Sequence, residues 1–216
     1  MVNMTRRHII HILCSPHGGI ATYVQGLIES EAKKKNYSTL FLNIRKADTN
    51  LISNLKELKN SERINKLYNL HTHKLPKIKT IFDTIELISV IKKYKYDKQN
   101  KLFLCAHGTS SAGIALLASI FTGIKLIYIP HGGLSHLYSS KNKFLYSLVN
   151  IFDNILTTFN VKFVYESKYT SKVYNIVGKS KSNIHNSNNY LYSFTNYTHK
   201  QIKNNFYVDD FNPANT

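Results

Sequence analysis

Three turns in this chain pair histidine with glycine: His17-Gly18-Gly19, His107-Gly108 and His131-Gly132-Gly133. Each follows an apolar run that reads as a β-strand. Glycine at such a turn lets the backbone approach a ligand closely. A helix beginning at Ile20 would aim its free N–H groups at the same point, as a diphosphate or carboxylate site requires. His131 follows a fully apolar run; its side chain could donate to a sugar hydroxyl or a phosphate, or act as acid or base, because a histidine titrates near neutrality. His107 and His17 belong to the same set. The plainer alternatives are a tight strand–helix turn without a ligand and a histidine that satisfies local backbone groups.

Other chemistries are poorly served. The dinucleotide fingerprint G-x-G-x-x-G is absent, and no G-K-[ST] follows a glycine-rich loop. His131-Gly132-Gly133 mimics an esterase oxyanion motif, but there is no G-x-S-x-G elbow, and Gly108-Thr109-Ser110-Ser111-Ala112-Gly113 lies upstream with the wrong spacing. His71 and His73 suit neither a helical nor a fingered metal site and read as exposed loop residues, so no metal is expected. Cys14 and Cys105 cannot build a disulfide framework; they read as unpaired, buried thiols near one sheet edge, in a reducing compartment.

The elements that must hold these turns alternate. Strands are expected at His8–Leu13, Thr39–Ile44, Leu102–Cys105, Lys125–Ile129 and Val161–Tyr165, with a last short one near Asn183–His185. Helices are expected where Ile20, Val24, Leu27 and Ile28 recur, over 51–68 and 78–96, and at Ser110–Phe121, Lys143–Leu156 and Lys168–Val177. In the 78–96 helix, Ile81, Ile85, Ile88 and Ile91 form the stripe expected to pack on the sheet. Strands separated by helices of this length predict βαβ units: an α/β fold with a Rossmann-like parallel sheet covered on both faces. Open parallel sheets bind ligands at the carboxyl ends of their strands, where all three turns fall.

With 216 residues, 43% of them apolar and 19% charged, the chain has enough material for one ordinary domain. Residues 1–178 read as that domain and 179–216 as a polar, linker-like tail. Ile9–Leu13 is too short for a signal-peptide core, and Gly113–Ile129 splits into a helix and a strand rather than spanning a bilayer. Lys plus Arg number 29 against 12 acidic residues, a formal charge of +17 that favours polyanionic partners: nucleic acid, anionic lipid or phosphorylated small molecules. The lysines are scattered and no nucleic-acid module is present, which argues against nucleic acid despite 15 Tyr and 11 Phe.

Several segments resemble one family in order. Gly18-Gly19-Ile20-Ala21-Thr22-Tyr23-Val24 with Leu27 is similar to the GG-x-x-x-y-v-x-x-L opening of GT4-type GT-B glycosyltransferases. Leu104–Gly113 resembles their v-H-a-H-s-s-k-a-G segment, with Cys105 in place of the first His. Lys125–Gly132 resembles their viyT-x-HG strand and turn, with Ile129 in the Thr position. Val161–Ser167 and Ile184-His185-Asn186 resemble the strand before v-S-e/k and the v-I-x-N-G join, the latter without its Gly. The resemblance covers roughly 8–186 and implies the N-terminal, acceptor-side Rossmann-like domain.

That resemblance implies transfer of a sugar from a nucleotide-sugar donor to a polysaccharide or lipid-linked acceptor in cell-envelope glycan synthesis. His131 would be catalytic, Gly18 and Gly19 would approach the donor diphosphate, and His17, His107, Ser110 and Gly132 would bind substrate. No cofactor or essential metal is implied beyond the donor itself. The family's donor domain, with its E-x7-E motif, is absent from this sequence, so a truncated or split form and a C-terminal partner subunit are expected. The expected setting is the cytoplasm, at the anionic inner face of the plasma membrane. Two rival expectations are a non-catalytic remnant that keeps the acceptor cleft and a basic nucleic-acid-binding α/β domain.

Overall fold

The computed structural model describes residues 6–16, 18–33, 36–47, 49–60, 64, 66–70, 78–95, 100–131, 143–159 and 161–165. The strands are β1 (Arg6–Leu13), β2 (Tyr37–Leu42), β3 (Lys66–Asn69), β4 (Asn100–His107), β5 (Leu126–Ile129) and β6 (Lys162–Phe163). The helices are α1 (Gly19–Lys33), α2 (Thr49–Asn60), α3 (Ile78–Lys95), α4 (Thr109–Thr122) and α5 (Lys143–Thr158). One parallel sheet carries the strands in the order β3-β2-β1-β4-β5-β6. This is a Rossmann-like α/β sheet, and its order reverses direction between β1 and β4, the place where such sheets open a ligand crevice.

Side-chain alternation along β1 divides the core. Ile10 and Ile12 face one layer with Leu104, Ala106, Tyr128 and the buried residues of α3, α4 and α5. Ile9 and Leu13 face the other with Leu40, Leu42, Cys105, Ile129 and α1. The central strands β1, β2, β4 and β5 are thus buried on both sides toward their carboxyl ends, which explains their largely apolar sequence there.

Register levels the carboxyl ends of the strands. Asn69, Leu42, Leu13, His107 and Ile129 form one row across five strands. The row is extended by Asn43 N–H donating to the Leu13 carbonyl (3.1 Å), Leu70 N–H to Leu42 (2.8 Å) and Gly108 N–H to Ile129 (2.8 Å). Two local devices then turn the chain. Gly18 adopts φ 56° and its carbonyl accepts from Ala21 N–H at 3.1 Å, starting α1. Gly108 adopts φ 81° and ψ 165°, a region open essentially to glycine alone, and starts α4.

Several expectations need correction. The pattern over 51–68 is not one helix: α2 ends at Asn60 and β3 occupies Lys66–Asn69. β3 is a short edge strand, and its residues Lys66 to Asn69 are partly or fully exposed, so it shows no apolar run. The second strand ends at Leu42, and Ile44 lies in a short 3-10 turn. In α3 the stripe is rotated: Thr80, Asp83, Thr84, Leu87, Val90 and Ile91 are buried, whereas Ile81 and Ile85 are 59% and 57% exposed. The fifth strand is shorter than expected, Lys162–Phe163 within Val161–Tyr165. The expected helix Lys168–Val177, the strand near Asn183–His185, the tail 179–216, His71 and His73 lie outside the described residues.

The two glycine turns separate backbone need from space. An added Cβ meets nothing within 4 Å at Gly18, Gly19 or Gly108, so sterics with neighbours do not decide. Gly108→Ala is expected to lower the unfolding free energy by about 1–3 kcal/mol because of its dihedrals. Gly19→Ala, inside a helix and at ordinary φ, is expected to change it by less than about 0.5 kcal/mol or to raise it. Denaturant titration of both variants checks this, and equal losses would overturn the strain argument.

Candidate functional site

The α1-facing side of β1 and β4 carries polar groups in an otherwise apolar layer. His11 pairs in register with Cys105, and Leu13 with His107. Residues two apart on a strand share a face, so His11, Cys105 and His107 project together, and His131, two residues beyond Ile129, continues the line. His11 Nδ1 and His107 Nε2 are 3.1 Å apart, and His107 Nδ1 and His131 Nε2 are 2.9 Å apart. Neighbouring rings lie at a shallow angle to each other, with centroids 5.4 Å and 5.2 Å apart and planes within 29° and 26°. Three imidazoles thus form a hydrogen-bonded chain running from the core to the carboxyl edge, at the switch point between β1 and β4.

Tyr23 ties this chain to the Gly18-Gly19 loop. It lies one turn into α1 and is buried, and its ring meets His131 edge-on at 4.9 Å and His107 at 6.2 Å. From the other side of the sheet, the Ser111 hydroxyl accepts from Cys14 N–H at 2.9 Å, and Thr109 Oγ1 lies 3.2 Å from Tyr128 Oη. These bonds fix the end of β1 and the start of α4 at the carboxyl edge of the sheet.

Burial sets the charge state. Desolvation pushes His11 down to about 3 and His131 down to about 4, and holds His107 well below the ordinary histidine value, with its two histidine neighbours adding to the effect. All three rings are therefore neutral at pH 7, so His131 does not titrate near neutrality as its residue type alone suggests. Burial also pushes the Cys14 thiol up to about 12 and the Cys105 thiol further still. Both cysteines are free and buried, near the same edge but on opposite faces of the sheet.

His107, His131, Gly18 and Gly19 gather at one edge. His17 and Gly132 lie outside the described residues. Ser110 sits in the first turn of α4, but the hydroxyl that bonds the β1 end belongs to its neighbour Ser111. Sequence reasoning missed His11 and Tyr23. A histidine inside an apolar strand is a signal for the first, since a buried imidazole needs partners. Tyr23 enters the sequence reading only as part of the Gly18–Val24 motif, and only its contacts reveal more.

Among the described residues, His11, Cys105 and His107 offer ligand atoms within 4.8 Å of one another. In this arrangement both His107 nitrogens are engaged in ring–ring hydrogen bonds, so a cation here would have to displace the His11–His107 link. No helix among the described residues is long and apolar enough to cross a membrane.

No family model matches the sequence, and no curated protein does. The fold has counterparts among solved structures. A glycosyltransferase from Rickettsia africae overlays 83% of this chain with a TM-score of 0.61 at 15% identity. The chain shares its fold with that glycosyltransferase. It spans 42% of the Rickettsia chain's length. A putative UDP-N-acetylglucosamine 2-epimerase from Listeria monocytogenes overlays 83% of this chain and 44% of its own (TM-score 0.46, 14% identity). MurG from Acinetobacter baumannii overlays 57% and 35% (TM-score 0.41, 13% identity).

The depressed histidine values make stability depend on pH. In the unfolded chain the rings protonate near 6.5; in the fold His131 and His11 do so only near 4 and 3. Between these values the unfolded state binds more protons, so stability is full above about pH 6.5 and falls as pH drops. The melting temperature is expected to fall between pH 7 and pH 4. His131→Asn, which tolerates the left-handed φ of 48° at this position, is expected to flatten that slope. An unchanged slope in the variant, followed by thermal melts across the range, would show that His131 is not held neutral by the fold.

Proposed function

We propose that this chain is the acceptor-side half of a GT4-like, GT-B-type glycosyltransferase. The reaction is transfer of a sugar from a nucleotide-sugar donor to a polysaccharide or lipid-linked acceptor in cell-envelope glycan synthesis. The observation that carries this reading is the meeting of His131, Tyr23 and the Gly18-led start of α1 at the β1/β4 switch point. A departing nucleoside diphosphate gathers negative charge, and the N–H groups of α1 suit that charge. His131 is neutral, and so serves as a hydrogen-bonding group to a sugar or acceptor oxygen rather than as a cation.

One domain supplies one wall of such a cleft. In this reading the nucleotide is held chiefly by a second domain or partner subunit, and His17, Ser110 and Gly132 act as substrate-binding residues. The setting is the cytoplasmic face of an anionic membrane. The charge of +17 supports that setting, as do Phe144, Leu145, Leu148, Ile151 and Ile155, all exposed along α5, and Phe159 just beyond it.

Two measurements test the reading. Titration of the isotopically labelled 216-residue chain with nucleotide sugars is expected to give weak binding, with shifts clustered on Gly18, Gly19, Tyr23, His107 and His131. Shifts at the opposite edge of the sheet, near Arg7 and Lys101, would overturn it. In a reconstituted enzyme His131→Asn is expected to lower kcat by roughly 100- to 1,000-fold, the usual effect of losing one aimed hydrogen-bonding group. His131→Ala is a poorer probe, because alanine at φ 48° adds a backbone cost of about 1–2 kcal/mol.

For the membrane, cosedimentation with phosphatidylserine vesicles is expected at low salt and to fall steeply as salt rises, since the Debye length shrinks from about 30 Å at 0.01 M to about 8 Å at physiological strength. Full retention at high salt would assign the binding to apolar insertion instead.

A further inference from the structure

We propose that His107, anchored by His11, is a positioning residue that fixes His131 as its Nδ1–H tautomer, so that the ring ends the chain as a hydrogen-bond donor. The role in transfer rests on the reading of His131 given above; the tautomer itself does not.

The number of protons available to the three rings restricts their tautomers. Each of the two links joins two ring nitrogens: His11 Nδ1 with His107 Nε2, and His107 Nδ1 with His131 Nε2. A good hydrogen bond needs one proton per link, and a neutral imidazole carries one N–H. Only two arrangements satisfy both conditions. In the first all three rings are Nδ1–H and the protons point toward His131. In the second all three are Nε2–H and the protons point toward His11.

The two ends of the chain decide between them. The inner end is His11 Nε2, which is buried without a hydrogen-bond partner. The second arrangement would orphan an N–H there, and orphaned donors are among the rarest features of protein interiors. The first leaves a lone pair instead. A ring nitrogen of His11 and the Cys105 sulfur lie within 4.8 Å of each other. A thiol can donate or accept only weakly, so the cost of an orphaned N–H is what decides. At the outer end His131 is only partly buried, and its Nδ1 takes no part in the chain. An N–H there can be answered by water or by a ligand oxygen. Tyr23, packed edge-on against both outer rings, holds the arrangement in place.

The consequence is specific. His131 Nδ1 is a donor to an oxygen of the bound ligand, a hydroxyl or phosphoryl oxygen, and is not a base. The buried rings act only through it.

Long-range ¹⁵N–¹H correlation spectra of the ¹⁵N-histidine-labelled 216-residue chain at pH 7 read the tautomers directly. The expected result is a protonated Nδ1 and a bare Nε2 at His11, His107 and His131. His107→Phe is expected to release His131 to Nε2–H, the tautomer that free histidine favours. Nε2–H at His131 in the unaltered chain would overturn the proposal, and this needs no variant to fold. Persistence of Nδ1–H in a folded His107→Phe chain would overturn the positioning role. Stoichiometric Zn²⁺ retained on His11, Cys105 and His107, detected by elemental analysis, would place a cation in the first link and also overturn it. If the Nδ1–H pattern holds while nucleotide sugars leave His131 unshifted, the proposal stands and the glycosyltransferase reading fails.

Discussion

The parallel register of β1 against β4 is the constraint on which the rest depends. Pairing Leu13 with His107, and His107 with Ile129, brings three strand ends level. That level edge sets Gly108 beside the Ile129 carbonyl and aligns His11, His107 and His131 on one face. A slip by one residue would send each of these side chains to the opposite layer, because side chains alternate along a strand. Close packing of differently sized side chains in each layer opposes such a slip. Core packing and site geometry therefore have the same cause.

Burial then does the chemical work. An isolated histidine near the surface would be partly charged at neutral pH. Here the rings lie between α1 and the sheet, where a charge is poorly solvated, and each ring's nitrogens are answered mainly by the next ring. Neutrality makes the chain of single protons possible, and the chain in turn makes the burial of three polar rings tolerable. The left-handed backbone of His131 sits at the end of this chain, held by ring contacts with Tyr23 and His107. Such a conformation is uncommon outside glycine, and Asn, Asp and His adopt it more readily than other residues.

Much of this was legible in the chain. Apolar runs spaced by helical patterns gave the α/β class, and glycines after strands marked the turns. His107 and His131 stood out because a histidine beside a glycine at a strand end is an unusual place for a polar ring. Where the sequence misled, the signal was weak in a definite way. β3 is a short edge strand with no apolar run, and the α3 isoleucines suggested a stripe that is rotated in the structure because Thr80, Asp83 and Thr84 are buried instead. Periodicity locates a helix well and orients it poorly when both faces carry apolar residues, as α3 does.

By itself the sequence determined the parallel α/β architecture, the positions of its turns and the basic surface, because these follow from local pattern and composition. Only the tertiary structure decided that His11 belongs with His107 and His131. These residues are separated by 96 and 24 positions in the chain. Their meeting depends on strand order and register, which arise from packing between distant segments and leave no trace in local spacing. The same holds for their charge. Residue type gives a histidine its ordinary titration near neutrality, but burial between a helix and a sheet moves it, and burial is a property of the fold.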